Sequence, residues 1–298
     1  MRIIVTGGAG FIGSHVVKKL KQKHNVLVVD KKKNSECKTE VVDILNYSKL
    51  KIVFKKFKPE IVIHMAAQVE LRKSLKDPFF DAQTNILGTI NVLRACEGIK
   101  LKKFIYTGTG GARYGTPVKL PVKEFDCVMP ESPYGISKMA AEHYVRVLSG
   151  LNGFDYLILC FGNVYGPGDD PKMGRVISVF ITRMMRKRNP LIFGSGKNTR
   201  DYLYVEDVAD VIAKNLNTKT KHKLFNLASG TQTSVNQIYK IIEKELNSGI
   251  KPKYISAIKG EVRDILLDIS LAKKELKFKP TPLKKGMNKT IEWFKNNY

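Results

Sequence analysis

The sequence predicts an α/β protein with a doubly wound parallel sheet and a smaller mixed α/β domain toward its C-terminus, and three observations carry this. A glycine-rich turn, Thr6-Gly7-Gly8-Ala9-Gly10-Phe11-Ile12-Gly13, stands between the β-rich run Arg2-Ile3-Ile4-Val5 and apolar residues recurring at helical spacing over 11–20. Further β-rich runs at 26–29, 40–43, 60–64, 103–106 and 156–159 are each separated by a helical pattern, as in Rossmann-type sheets. From Gly166-Pro167-Gly168 onward the texture becomes turn-rich, through Pro190 and Gly194-Ser195-Gly196.

In the first unit, Gly7 permits a tight turn, Gly10 lets backbone approach a diphosphate, and Gly13 lets the helix pack close to its strand. The helix start then offers unpaired N–H groups and a positive dipole end to phosphates. A lone Gly-x-x-Gly-x-x-Gly is also an ordinary glycine-rich turn. The second run, however, ends in Asp30, where a carboxylate accepts hydrogen bonds from an adenosine ribose and repels a 2′-phosphate, which points to NAD over NADP. Lys31-Lys32-Lys33 would welcome that phosphate, but Asp30 holds the strand end itself.

Ligands of doubly wound sheets bind at the carboxyl ends of the strands. The residues there are Asp43-Ile44, Met65-Ala66-Ala67-Gln68, Thr107-Gly108-Thr109-Gly110-Gly111 and Gly162-Asn163, mostly small, as close approach by a large ligand requires. An NAD-binding domain is expected over 1–165. A helical pattern over 201–215 and a β-rich run at 224–227 suggest a return of the chain to it around 203–228, leaving 166–202 and 229–298 as the second domain.

The chain has 298 residues, enough for a sizeable core, and carries 52 Lys and Arg against 27 acidic residues, a net charge of +25. That balance raises nucleic acid as a partner, but the basic clusters are scattered and mostly lysine, which suits solvated faces better than bidentate recognition. Nucleic acid is therefore not expected, while anionic small molecules are. No apolar run approaches the roughly eighteen residues of a membrane span, and Met1 leads into a strand instead of a signal peptide. Cys37, Cys96, Cys127 and Cys160 lack metal-ligand spacing, so reduced thiols, a cytoplasmic location and no bound metal are expected.

The chemistry is placed in Tyr134-Gly135-Ile136-Ser137-Lys138. Tyr and Lys at i and i+4 share a helical face, so the ammonium can stabilise a phenolate and lower a pKa ordinarily near 10, making the tyrosine a general base. Tyr47 and Lys51 repeat the spacing by chance. Tyr134 is preferred because it follows the helix-start signal Ser132-Pro133 and comes shortly after a hydroxyl-bearing loop at a strand end.

Taken together, Thr6 to His15, His64-Met65-Ala66-Ala67-Gln68, Asn85 with Gly88-Thr89, Tyr114-Gly115, Ser132 to Lys138, Asn163-Val164-Tyr165-Gly166-Pro167 and Arg200 to Ala209 resemble the extended short-chain dehydrogenase/reductase family. Within it, the chain is similar to NAD-dependent nucleotide-sugar epimerases of the UDP-glucose 4-epimerase type. The resemblance implies that Gly7, Gly10, Phe11, Ile12, Gly13, Asp30, Asp43, Ile44, Ala66, Ala67, Gln68, Asn85, Thr107, Tyr134 and Lys138 line the NAD site. It implies that Asn163, Leu191, Phe193, Arg200 and Arg263 hold the nucleotide diphosphate and its base, and that the protein is a homodimer with a UDP-sugar substrate.

The implied reaction is redox-neutral, with a 4-keto intermediate reached when Tyr134 takes the 4-hydroxyl proton, Thr109 bonds the reacting oxygen and Lys138 orients the cofactor ribose. UDP-glucose and UDP-galactose are the first expectation. N-acetyl forms, a uronate epimerase, a reductase, a dehydratase and a non-catalytic NAD-sensing or nucleic-acid-binding relative are the alternatives. Two positions depart from the family pattern, the loop over 107–111 and Cys160-Phe161. Glycines alternate with the threonines over 107–111, so counting back from Tyr114 would put Gly110 at the catalytic position, with Thr107 in reserve to Thr109. Gly110-Gly111-Ala112 carries no acidic residue of the kind dehydratases and decarboxylases use. Cys160-Phe161 replaces an arginine usual before the Asn163 motif, and the position implied to gate an N-acetyl group falls near Ile265.

Overall fold

Ile3, Ile4 and Val5 are apolar at successive positions, which suits a strand covered on both faces. In the computed structural model, which describes residues 1–117, 119–257 and 264–298, they form β1 (Arg2–Thr6) inside a parallel seven-stranded sheet. The chain continues through α1 (Phe11–Leu20), β2 (Asn25–Asp30), β3 (Thr39–Val41), α2 (Tyr47–Phe57), β4 (Ile61–His64), α3 (Leu71–Lys76), α4 (Pro78–Ala82) and a π-helical turn at Gln83–Leu87. Next come α5 (Gly88–Ala95), β5 (Lys103–Thr109), α6 (Gly110–Arg113), α7 (Pro133–Asn152), β6 (Asp155–Phe161), β7 (Asn163–Tyr165), α8 (Val176–Met185), β8 (Leu191–Phe193) and β9 (Thr199–Tyr204). The last elements are α9 (Val205–Lys214), β10 (Leu224–Leu227), β11 (Gln232–Ser234), α10 (Val235–Leu246), β12 (Lys253–Ile255), α11 (Ser270–Glu275) and α12 (Leu283–Asn297).

The large sheet runs β10-β6-β5-β4-β1-β2-β3, so its direction of growth reverses between β1 and β4. That reversal opens a crevice at the carboxyl ends of the two strands. Side chains of alternate residues divide between two cores. Ile3, Val5, Val28 and Ile63 pack with Val16 and Val17 of α1 and Val208 and Ile212 of α9, whereas Ile4, Val29 and Val62 pack with Phe54 of α2, Val92 of α5 and Val145 of α7. The sheet is therefore doubly wound, as the alternating pattern predicts.

β10 joins the outer side of β6, with Leu224 opposite Ile158, although more than sixty residues separate them. Two smaller sheets lie beyond it: β11-β9-β7, with one antiparallel and one parallel pair, and β12-β8, which is parallel. Phe180 of α8, Ile238 of α10 and Ile291 and Phe294 of α12 form their core. All four cysteines are free thiols, and among the described residues no helix is long and apolar enough to cross a membrane.

The glycines of the first turn hold the crevice open. A Cβ at Gly13 would stand 2.1 Å from the Gly7 carbonyl oxygen, and one at Gly7, where φ is +71°, would stand 2.5 Å from the Ala66 amide nitrogen. Gly13→Ala is accordingly expected to push α1 off β1, costing about 1–3 kcal/mol in urea unfolding and lowering the NAD content of the purified protein.

Candidate active site

At the crevice, α1 starts at Phe11 after Gly10, which has no side chain to cap it, so the first-turn N–H groups stay available to an anion. Asp30, at the end of β2, accepts from the Ala9 amide through Oδ2 at 3.0 Å and from the Lys32 amide through Oδ1 at 3.2 Å, which fixes the carboxylate beside the turn. Lys31 turns to Asp43, 2.8 Å away, and Asn34 donates to the Gly8 carbonyl at 2.8 Å. Ile44 is buried against Gly88. Ala66 and Ala67 follow β4, with the Ala66 amide donating to Thr6 Oγ1 at 3.3 Å. A glycine cradle, an open helix end and a fixed carboxylate at a strand end are what an NAD diphosphate and adenosine ribose need, so these residues fit that cofactor.

Tyr134 reaches this crevice because α7 begins where the sequence signals it. Pro133 occupies the first turn, and Ser132 Oγ accepts from the Gly135 amide at 3.1 Å. A Cβ at Gly135 would lie 2.5 Å from the Ala112 carbonyl oxygen, so the first turn of α7 rests directly on α6. Thr109, which caps α6, faces the Tyr134 side chain closely enough to lower its pKa. Thr107 instead donates to the His64 carbonyl at 3.2 Å, inside the sheet, and a side chain at Gly110 would strike Leu267 at 2.4 Å. The hydroxyl that faces Tyr134 is therefore that of Thr109. The repeated pair, Tyr47 and Lys51, lies on α2, where Arg94 covers the Tyr47 ring at 4.3 Å.

Burial dominates the electrostatics. It pushes the Tyr134 phenol up to about 12, against the Thr109 hydroxyl and the charge of Arg175, the two influences that lower it. Lys138 is not among the groups that lower it. The lysine lies over the Tyr106 ring, its Nζ 4.3 Å from the centroid, and burial lowers it to about 8 although Glu142, Cys160 and Asp81 act to raise it. At neutral pH it keeps most of its charge.

Beneath the pair is a network of groups far apart in sequence. Asp81, fully buried, accepts from Gln68 Nε2 at 2.8 Å, Asn85 Nδ2 at 3.2 Å and Ser137 Oγ at 2.5 Å. Asn85, in the π-helical turn, also accepts from the Gln68 amide at 2.8 Å. The Gln68 side chain is thus occupied with Asp81 and the Glu70 backbone, and that of Asn85 with Asp81, Ser137 and the Gln68 backbone, so they position the floor of the site. Ser74 Oγ accepts from the Tyr134 amide at 3.2 Å. His64 is buried, lies 2.6 Å from Thr6 Oγ1 and 3.0 Å from Thr89 Oγ1, and is pushed down to about 3 by burial and then by the charge of Lys138. Because Thr89 donates to the Asn85 carbonyl, the network assigns the imidazole proton to Nε2. Ser74, Asp81, Ser137 and Arg175 are not legible as site residues, being single polar residues with no spacing signature.

On the far side, Asn163 is exposed at the start of β7, its Oδ1 next to Gly111. Leu191 and Phe193 lie on β8, and Arg72 of α3 covers the Phe193 ring at 5.4 Å. Arg200, on β9, donates to the Thr199 carbonyl at 2.9 Å, while the Asp201 carboxylate accepts from Ser229, Gly230 and Leu267. Arg263 lies outside the described residues. Ile265 is fully buried in the core below the sheet.

The Cys160 departure has a structural counterpart. Cys160 Sγ is 3.5 Å from Glu142 Oε1, and the guanidinium that this carboxylate receives comes from Arg113, whose Nε is 2.9 Å from Oε2. Both partners are buried. Arg113→Met leaves Glu142 without its counter-charge and is expected to destabilise the protein by about 3–5 kcal/mol in chemical unfolding. Arg113→Met/Glu142→Met, which removes both charges, should recover most of that loss.

Residues 3–228 match the model of the NAD dependent epimerase/dehydratase family. A provisionally assigned UDP-glucose 4-epimerase of Methanocaldococcus jannaschii is 42% identical, with 99% of each chain covered. The crystal structure of UDP-glucose 4-epimerase from Thermotoga maritima with UDP-glucose superposes with a TM-score of 0.95 at 37% identity, covering 99% of each chain. That of UDP-glucuronic acid 4-epimerase from Bacillus cereus, with UDP-glucuronic acid and NAD, gives 0.90 at 29% identity and covers 100% of each. With its switch-point crevice, its glycine cradle and the half-buried Tyr134 one turn from the buried Lys138, the chain belongs to the NAD-dependent epimerase/dehydratase family of nucleotide-sugar enzymes.

Proposed function

We propose that the protein is a 4-epimerase of UDP-hexoses, with UDP-glucose and UDP-galactose its first substrates. The observation that carries this reading is the pairing of Thr109 with Tyr134 across a loop, 107–113, that has no acidic residue. Such a loop can hold and deprotonate a hydroxyl but offers no acid of its own to expel water, which is what a dehydratase requires. Two relatives among those compared act on or bind UDP-glucose, and the uronate enzyme is the second reading.

Tyr134 takes the proton of the sugar 4-hydroxyl and later returns it, and Thr109 holds the same oxygen. The Thr109 hydroxyl and the positive charge of Arg175 favour the phenolate form. NAD, when bound, supplies the hydride acceptor and then the donor at carbon 4. The glycine turn, Asp30 and the floor of Gln68, Asn85 and Asp81 hold the cofactor crevice, within 1–165 and the returning 203–228. Asn163, Leu191, Phe193 and Arg200 line the sugar-nucleotide side, contributed by and around 166–202 and 229–298.

Incubation with UDP-glucose, without added cofactor, is expected to yield UDP-galactose by NMR. Tyr134→Phe should lose about 10²–10⁴-fold in kcat. Because Lys138 loses its proton as pH rises through about 8, kcat/KM should fall across that range. Lys138→Arg, which stays charged, should show a lower rate without that alkaline limb.

The same reading includes a homodimer. Ile136, Tyr144, Val147 and Leu151 leave an apolar stripe exposed along α7, and Leu87 is exposed on the neighbouring helical turn. Sedimentation should give twice the chain mass, and Val147→Glu/Leu151→Glu should give the monomer.

A further inference from the structure

The segment between β7 and α8, residues 166–175, crosses the start of α1 as a strap fastened at two places. At the first, His15 of α1 lies between Glu206 Oε1, 2.7 Å from its Nδ1, and the Pro167 carbonyl, 2.8 Å from its Nε2. At the second, the Arg175 guanidinium lies over the ring of Phe11, 5.3 Å from its centroid. Phe11 is the first residue of α1, so the guanidinium stands at the helix end whose amides have no side-chain cap.

Arg175 is held from behind. Its Nη1 pairs with Asp169 Oδ1, and Asp169 is buried while the arginine side chain keeps 32% of its surface exposed. A guanidinium presents five donors in a rigid fork, and among the described residues the Asp169 bond is the single hydrogen bond it makes. One edge is pinned and the other faces outward. Its charge also reaches the Tyr134 phenol, which it pulls down against burial. The cation therefore stands at the start of α1, where the positive end of the helix dipole adds to it, and within electrostatic reach of the tyrosine.

We propose that Arg175 is an anion-binding residue of the crevice, its open edge taking a diphosphate laid at the start of α1, so that the strap 166–175 closes over that diphosphate. The shared chemistry is that of a diphosphate ester, carried both by NAD and by the sugar nucleotide. The inference rests on the family's cofactor and not on which sugar is turned over, so an inactive protein with UDP-glucose leaves it standing.

The test uses the holoprotein and two probes. Exchange of bound NAD against isotopically labelled NAD reports on the cofactor diphosphate, and the Kd of UDP for NAD-saturated protein, by calorimetry, reports on the other. Arg175→Met is expected to raise one of the two, exchange rate or UDP Kd, by about ten-fold or more, the loss of a charge-assisted bidentate contact; the probe that moves identifies the source. Arg175→Met also leaves Asp169 buried without its counter-ion, so Arg175→Met/Asp169→Asn serves as the second variant. It removes the buried charge, and it should keep the binding defect while its unfolding midpoint recovers. If both probes stay within about two-fold of wild type in Arg175→Met, or if the double variant restores binding together with stability, the guanidinium serves Asp169 alone and the proposal falls.

Discussion

The buried carboxylate of Asp81 is the constraint on which the rest of the site depends. A full charge away from water is tolerated only when its lone pairs are taken by hydrogen bonds, and here the donors come from the loop after β4, the π-helical turn and α7. Satisfying one residue therefore locks three elements together. Ser137, which donates at 2.5 Å, stands between Tyr134 and Lys138 on α7, so its bond sets the rotation of that helix about its axis. Asn85 is brought within reach by the wider turn at Gln83–Leu87, a local irregularity that a regular α-helix would not provide. The rotation of α7 then decides which side chains look into the crevice.

The tyrosine–lysine pair proposed to carry the chemistry occupies a balance between desolvation and charge. Tyr134 resists ionisation because it is buried, and Lys138 sheds some of its basicity for the same reason. Each is pulled back toward its ionised form by a different neighbour: the tyrosine by Thr109 and Arg175, the lysine by Glu142, Cys160 and Asp81. Arg113 keeps Glu142 from acting as an unopposed charge, and it approaches from α6, the same short helix that Thr109 caps. The loop after β5 thus supplies both the hydroxyl and the counter-ion, so its backbone path matters as much as its side chains.

Much of this is legible in the sequence. The glycine spacing, the strand-end Asp30 and the Ser132-Pro133 helix start are local signals, and the crevice, its carboxylate and the first turn of α7 follow them. The choice of Thr109 over Thr107 is not legible, because it depends on the last residues of β5, where Thr107 turns into the sheet toward His64 and Thr109 leaves it as a cap. Gln68 and Asn85 are legible as parts of the site but not in their manner. Their partner, Asp81, sits on a different element and has no motif of its own. The direction of the Tyr134 shift is hidden for a similar reason, since spacing places a lysine one turn away while burial depends on every element packed around it.

The lateral position of β10 bears on how the chain is made. While 224–227 are absent, the side of β6 that β10 covers is an edge with unpaired amides and carbonyls beside Ile158, Leu159 and Cys160. A ribosome that has released only the first 165 or so residues therefore holds a sheet whose flank is open and apolar. The intervening segment must be synthesised, and α9 laid on α1, before that flank is sealed. Sheet completion is consequently a late, long-range event during synthesis, and the interval before it is when the nascent protein is most prone to stick to its neighbours.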